Sequence, residues 1–204
     1  MAKRRYDQRV RAEAAEETRL RILDAVGDRL REAPAEPVSV DRIARMAGVA
    51  RSTVYLIFGS RAGLFEAFAD HLFERTGYER LIRAVSVEDA REHMAGGLTT
   101  GAEMFGNDRD VWRALISMSH LDPEAVGNVV RRYETERAGG MKRVARRLAE
   151  QGYLRDDVTE EQAAHMLWLF TGFDAFDVLY TGRGLSVDET AATLVAMADR
   201  AVLR

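Results

Sequence analysis

The segment from Val38 to Phe68 limits the possible folds of this chain more than any other part of the sequence. Ser39 is a natural helix N-cap, because its hydroxyl can accept a hydrogen bond from a backbone N–H group of the first turn. Gly48 stands where the chain must turn, and glycine adopts a positive φ without steric cost. Between these two residues, apolar side chains recur at helical spacing and predict one apolar helix face: Val40, Ile43, Ala44 and Ala47.

A second short helix is predicted from about Ala50 to Phe58. Val54 and Phe58 are four residues apart and therefore share its inward side. Two short helices with a common apolar seam, of which the second has a polar and basic outer side, are typical of a helix-turn-helix that places the second helix in the major groove of DNA. The outer side here carries Arg51, Ser52, Tyr55 and Leu56.

The residues from Ala47 to Phe65, AGVARSTVYLIFGSRAGLF, resemble the DNA-binding signature of TetR-type (TetR/AcrR) transcriptional regulators. So many matches in a fixed register make the resemblance specific. It covers the N-terminal third of the chain, and beyond that only the number of helices and the total length. The signature positions are filled by Ala47, Gly48, Val49, Thr53, Val54, Tyr55, Phe58, Arg61 and Leu64.

Three residues depart from the pattern of the family. Ala50 stands where a serine usually caps the recognition helix, so another group or water must bind those N–H groups. Ile57 replaces a common histidine or tyrosine and can donate no hydrogen bond to phosphate, although it could still contact a thymine methyl group. Arg61 replaces a lysine and keeps the cation with a planar guanidinium.

The resemblance implies that the helix from Arg51 to Ile57 enters the major groove. Arg51 and Ser52 are predicted to read bases, and residues around them are predicted to bind phosphates and set the register. Tyr55 could instead pack against the first helix of the pair, or do both. The predicted DNA-contacting residues are Ser39, Arg51, Ser52, Thr53, Tyr55, Leu56 and Arg61.

Composition favours an all-α protein, because 47% of the 204 residues are hydrophobic and only 3 are proline. The net charge of −3 is unevenly distributed: residues 1–80 carry 15 basic and 13 acidic side chains, and residues 81–204 carry 15 and 20. Local potential steers association with phosphate more than total charge does. The absence of cysteine, of a bilayer-spanning apolar run and of a secretory signal predicts a cytoplasmic protein with no membrane partner.

About nine helices and no strand are predicted, in four segments. Residues 1–14 form a basic segment that is either a flexible, solvated tail or an arm that reaches phosphate or the minor groove. Residues 15–60 form a three-helix, helix-turn-helix DNA-binding domain, and residues 61–85 a connecting helix with a weak point at Gly77. Residues 86–204 form a helical body for ligand binding and dimerisation.

The last two predicted helices, Glu160–Tyr180 and Val187–Leu203, are more apolar than one packing seam requires. The resemblance implies that they pair with their copies across a two-fold axis into a four-helix bundle. The alternative is that they only fill the core of one protomer. The residues predicted for the dimer interface are Leu167, Phe170, Ala175, Leu179, Leu194, Val195, Ala198 and Val202.

Methionine and aromatic side chains of the body could line an adaptable apolar pocket for a small molecule. The same residue types also build helical cores, so both interpretations stay open. The candidate pocket residues are Met94, Met104, Phe105, Trp112, Met118, Tyr133 and Phe173.

The sequence offers no motif for catalysis, a metal or a cofactor. Its four histidines have no metal-ligand spacing, and no nucleophile or glycine-rich loop follows a predicted strand. The favoured hypothesis is a homodimeric transcriptional repressor that leaves a near-palindromic operator when a small apolar ligand binds. Two alternatives remain: a DNA-binding protein of the same fold whose body binds a protein, and a ligand-sequestering or catalytic helical protein.

Overall fold

The computed structural model describes residues 2–34 and 36–204, without the side chains of residues 2–11. The described residues contain eleven α-helices and no strand; Leu154 and Leu203 form one isolated antiparallel bridge. The all-α prediction is therefore confirmed. The helices are α1 Ala2–Glu32, α2 Val40–Met46, α3 Arg51–Phe58, α4 Arg61–Thr76, α5 Tyr78–Val85, α6 Ala90–Asn107, α7 Arg109–Leu121, α8 Asn128–Glu150, α9 Glu160–Phe170, α10 Phe173–Arg183 and α11 Val187–Val202, with a π-helical turn at Pro123–Gly127.

The prediction of nine helices was two short, because two helices predicted as continuous are interrupted. Gly77 separates α4 from α5 with a φ of 125°, a conformation that other residues rarely adopt. The break between α9 and α10 is stabilised by Arg137, which donates to the Trp168 carbonyl and, at 2.9 Å, to the Thr171 hydroxyl. Arg137 thus binds a carbonyl that the end of α9 would leave unpaired.

The predicted basic segment, residues 1–14, lies partly outside the described residues. The backbone from Ala2 onward belongs to α1, which the sequence predicted to begin near Ala15. In this helix Ile22 is fully buried, whereas Leu20 is exposed. A contact of the N-terminal segment with DNA stays a prediction.

The chain divides into two compact units, Met1–His71 with Arg113–Val129, and Leu72–Trp112 with Val130–Arg204. In the first unit α1 packs against α2, and α2 packs against α3. In the second unit α11 packs against α6 and α9. The fully buried side chains of the first unit come from all four of its N-terminal helices and include Ile22, Leu23, Val26, Leu30, Ile43, Val54, Leu64 and Phe65.

Candidate nucleic-acid interface

The turn between α2 and α3 is built by short-range interactions. The Ser39 hydroxyl accepts a hydrogen bond from the Arg42 N–H at 3.2 Å, as an N-cap should. Gly48 has a φ of 66°, and the following N–H of Val49 donates to the Ala44 carbonyl at 2.9 Å. These contacts end α2 and direct the chain into α3, whose inward residue Val54 is buried.

The outer side of α3 presents three predicted contact residues to solvent. Arg51, Ser52 and Leu56 are exposed, and Leu56 is 85% exposed. A leucine that is so exposed on a short helix contributes little to the stability of the fold and can make an apolar contact with a partner. Thr53 and Tyr55 are half-buried, so they combine packing with partial access.

Arg51 is held in place by two neighbours. Its guanidinium forms an ion pair with Asp41 at 3.0 Å and a hydrogen bond with the Tyr55 hydroxyl at 3.4 Å, and it lies 5.5 Å from the Tyr55 ring centroid. The hydrogen bond with Tyr55 and the nearby Asp41 carboxylate raise the pKa of Arg51, so it stays charged. The ion pair of Asp41 with Arg51 was not predicted from the sequence, although Asp41 is recognisable there as an acidic residue in the first turn of α2.

The start of α3 lacks a side-chain cap from any described residue, as expected from Ala50. At this N-cap, the Thr53 N–H donates a hydrogen bond to the Ala50 carbonyl at 3.0 Å. By contrast, the Ser60 hydroxyl accepts from the Gly63 N–H at 2.9 Å at the start of α4.

Arg61, which was predicted to bind a phosphate, has partners within the first unit. Its guanidinium donates two hydrogen bonds to the Val38 carbonyl, at 2.9 and 3.2 Å, and pairs with Asp122. Asp122 in turn accepts from the Ala125 N–H at 3.3 Å. In this conformation Arg61 stabilises the first unit, and phosphate binding would require it to leave both partners.

We therefore expect Arg61→Ala to lower the free energy of unfolding by about 1–3 kcal/mol, the typical loss for charge-assisted hydrogen bonds that are partly buried. Asp122→Asn keeps an N-cap and removes the charge, so it is the matched partner for a double-mutant cycle. Urea unfolding of both single variants and the double variant should show a non-additive pair. If the changes in unfolding free energy are instead additive, and Arg61→Ala lowers only the affinity for DNA, the result would support a phosphate contact by Arg61.

The predicted pocket residues do not line one site. Met118 lies in the first unit and Met94 in the core cluster around α6, α9 and α11. Met104 is buried, and its carbonyl accepts from the Trp112 indole at 3.2 Å. The other four join one aromatic cluster, together with residues that the pocket prediction missed: Phe105, Trp112, Tyr133 and Phe173 with Phe73 and Phe176.

The aromatic cluster is dominated by edge-to-face contacts. The ring centroids of Phe105 and Trp112 are 5.4 Å apart, and those of Phe73 and Trp112 are 5.0 Å apart. Such pairs stabilise a core beyond the area that they bury. Loss of hydration raises the pKa of Tyr133 to about 12, so its phenol stays protonated. This arrangement favours the core interpretation for most of the predicted pocket residues.

A small cavity lies beside this cluster in the second unit. It has a volume of about 20 Å³ and is partly open to solvent, and only Phe105 of the predicted pocket residues borders it. The signal that sequence reasoning overlooked is the glycine content of α6, since a missing side chain leaves room. The lining residues are Gly97, Leu98, Gly101, Ala102, Phe105, Phe170, Thr171, Gly172, Phe176 and Leu194.

The predicted dimer-interface residues divide into two groups. Leu167, Leu194, Ala198 and Val202 are buried in the core of the protomer itself, so they are not on a surface that a second copy could reach. This corrects the prediction for these four. The reason is that α11 packs against α6 and α9 within one chain and uses this apolar stripe there. The half-buried group is Phe170, Ala175, Leu179 and Val195.

Other apolar side chains on the last three helices face solvent. Leu169 is 60% exposed and Val178 is 65% exposed, and Trp168 and Met197 are also exposed. We call these four residues the C-terminal apolar surface. Exposed large apolar residues concentrated on adjacent elements are typical of interaction sites.

A helix-turn-helix whose second helix exposes an arginine is typical of DNA-binding proteins. Residues 22–68 match the family model "Bacterial regulatory proteins, tetR family". No curated protein sequence matches this chain significantly. Among the described residues, no helix is both long and apolar enough to cross a bilayer, and no cluster of acidic and histidine side chains could hold a metal ion.

Several solved structures share the whole fold. A TetR transcription regulator from Haloarcula marismortui is 22% identical, with a TM-score of 0.72 over 93% of this chain and 100% of that one. NalD, the secondary repressor of the MexAB-OprM multidrug efflux pump in Pseudomonas aeruginosa, is 22% identical, with a TM-score of 0.71 over 94% and 98%. The fatty acid degradation regulator FadR from Bacillus halodurans is 15% identical, with a TM-score of 0.68 over 88% and 93%.

These findings confirm the resemblance that residues 47–65 indicated. Residues 22–68 thus match the DNA-binding domain of TetR-family regulators, and the chain as a whole shares the fold of TetR-type structures.

Proposed function

We propose that this chain acts as a homodimeric transcriptional repressor, which leaves a near-palindromic operator when a small apolar ligand binds the second unit. The observation that carries the proposal is the shared exposure of Arg51, Ser52 and Leu56 on the outer side of α3. A short helix with a cation, a hydroxyl and an apolar tip on one face has the groups needed to read base edges in a major groove.

The side chains around α3 suggest separate roles at the DNA. Arg51 is the reader of guanine, because a guanidinium can bind O6 and N7 together, and Leu56 provides an apolar contact for a thymine methyl group. Ser39, Thr53 and Tyr55 border this side and would bind phosphates. When Arg51 binds a base, it loses its ion pair with Asp41. Asp41 therefore disfavours DNA contacts of Arg51 that are weaker than this ion pair.

In this proposal, two copies of the chain associate through the C-terminal apolar surface. Trp168, Leu169, Val178 and Met197 are accessible, and the half-buried residues of the predicted interface lie on the same three helices. Two copies related by a dyad would present two α3 helices to half-sites one helical turn, or a multiple of it, apart. The operator is then nearly palindromic.

Release by a ligand would be a population shift. The cavity of about 20 Å³ is far smaller than ordinary ligand pockets of about 300–1,000 Å³, so the second unit must open before a small molecule can bind there. A ligand releases DNA only if it binds more tightly to the conformation that is wrong for DNA. NalD and FadR act on different systems, so their names do not select a ligand class for this chain.

The direct test is a gel shift of the purified chain with DNA from upstream of its own gene, over a range of salt concentrations. We expect specific retardation whose affinity falls steeply with salt, with a slope of about −0.9 for each phosphate that the protein neutralises. A duplex of equal length and composition with shuffled sequence is the control. Equal binding of both duplexes, or affinity independent of salt, would contradict the proposal.

A further inference from the structure

The ion pair between Arg61 and Asp122 holds a cation next to the helix-turn-helix against a carboxylate of the same unit. Arg61 is the first residue of α4, and its guanidinium donates from Nε and Nη2 to the Val38 carbonyl. Val38 directly precedes Ser39, the N-cap of α2, to which the proposed function assigns a phosphate contact. Arg61 therefore lies beside a proposed phosphate site and could bind DNA there if its charge were available.

Asp122 neutralises that charge. Its Oδ2 atom pairs with Nη1 of Arg61, and its Oδ1 atom accepts from the Ala125 N–H at 3.3 Å at the start of the π-helical turn. Both carboxylate oxygens thus have partners, which fixes the carboxylate toward Arg61. Three of the five N–H groups of the guanidinium are used, which leaves two. A phosphate that reached these two would meet a neutral pair instead of a cation.

Other arginine–carboxylate pairs beside the helix-turn-helix are exposed. The side chains of Arg42 and Glu32, and those of Arg51 and Asp41, are each more than half exposed. Water and salt screen such pairs, so they contribute little and a group of the DNA can replace the carboxylate. The side chains of the pair formed by Arg61 are only 31% and 28% exposed, and screening weakens a partly buried pair much less.

We propose that Asp122 withholds Arg61 from DNA and thereby sets the overall affinity of the protein for DNA without changing its sequence preference. A contact between a cation and a phosphate carries no sequence information, and it strengthens binding because counterions leave the DNA. A guanidinium that stays paired with Asp122 releases no counterion. This role of Asp122 rests on the proposed function, because it requires that the start of α4 approaches DNA together with α3.

The test measures the affinity of Asp122→Asn for operator DNA and for a shuffled duplex at several salt concentrations. Asparagine keeps the cap on Ala125 and removes the charge, so Arg61 becomes free to bind phosphate. The slope of log K against log salt concentration should become steeper by about 0.9 per protomer, which is about 1.8 for a dimer. At 0.1 M salt, we expect both duplexes to bind about ten-fold more tightly per protomer, so the ratio of their affinities stays unchanged.

Two variants separate this effect from a general gain of positive charge. Glu124→Gln removes a carboxylate from the same π-helical turn, and the exposed Glu124 side chain forms no ion pair with any residue that the structure describes. Glu124→Gln should therefore leave the slope and the affinity nearly unchanged. The double variant Arg61→Ala, Asp122→Asn lacks the released cation and should bind DNA with the same slope as Arg61→Ala.

An unchanged or shallower slope in Asp122→Asn, an equal steepening by Glu124→Gln, or a gain that persists without Arg61 would each overturn this role of Asp122. Circular dichroism shows whether each variant is folded, and Asp122→Ser, which also keeps a cap without a charge, replaces Asp122→Asn if that variant unfolds. If the wild-type chain retards neither duplex, the proposed function fails as well. If it binds operator DNA and the Asp122 variants show no gain, only the role of Asp122 fails.

Discussion

Replacing Leu169 and Val178 together by glutamate is expected to leave the protein folded, to make it monomeric and to lower its operator affinity by at least about 100-fold. The side chains are 60% and 65% exposed, so the protomer loses little packing. A carboxylate at an apolar interface is desolvated without a partner, which opposes dimerisation. A monomer binds one half-site and loses the gain of about 10²–10⁴ that linked binding provides. Light scattering after size exclusion measures the mass, and gel shift measures the affinity.

A matched control exists on other surfaces of the chain. Leu121 is 72% exposed and Ile82 is 44% exposed, and neither belongs to the C-terminal apolar surface. Glutamate at both positions introduces the same charge on exposed apolar residues and should leave dimerisation intact. If the double variant Leu169→Glu, Val178→Glu stays dimeric, or if the control is equally disrupted, the proposed interface is wrong.

Arg51→Ala is expected to lower the preference for the operator over random DNA by about 10- to 100-fold. A bidentate arginine contact with guanine contributes about 1–3 kcal/mol of discrimination, and this is the part that alanine removes. Stability should change little, because the ion pair with Asp41 is exposed and such pairs contribute about 0–1 kcal/mol. Competition gel shifts with operator and shuffled DNA measure the ratio.

Asp41→Asn is the informative companion to this variant. Asp41→Asn keeps Arg51 and weakens the contact between the two side chains, so the affinity for shuffled DNA should rise. Arg51→Ala should instead lower the affinity for the operator. This opposite pair of effects would show that Asp41 limits unspecific binding through Arg51. Unchanged discrimination in Arg51→Ala would remove this residue from the set of base readers.

The helix-turn-helix was predictable from sequence because its determinants are local. The Ser39 cap, the positive φ of Gly48 and the uncapped Ala50 each depend on residues within one or two helical turns. Ser60 at the start of α4 and the capping boxes at the starts of α9 and α11 follow the same local rules. Such features are encoded by side chains that contact their own backbone.

Tertiary partners were not predictable in the same way. Helical spacing identified the stripe that includes Leu167 and Leu194, but an apolar stripe does not specify whether it packs on its own chain or on a copy. Arg61 matched a family position, yet its contact with Asp122 joins residues 61 positions apart.

Selection of bound duplexes from a random pool, followed by sequencing, gives the decisive result for DNA reading by α3. The proposed function predicts one enriched, near-palindromic sequence, whose two half-sites are centred one helical turn or a multiple apart and contain a guanine that Arg51→Ala no longer selects. Recovery of no enriched sequence, or of a motif that the Arg51→Ala protein selects equally well, would contradict it.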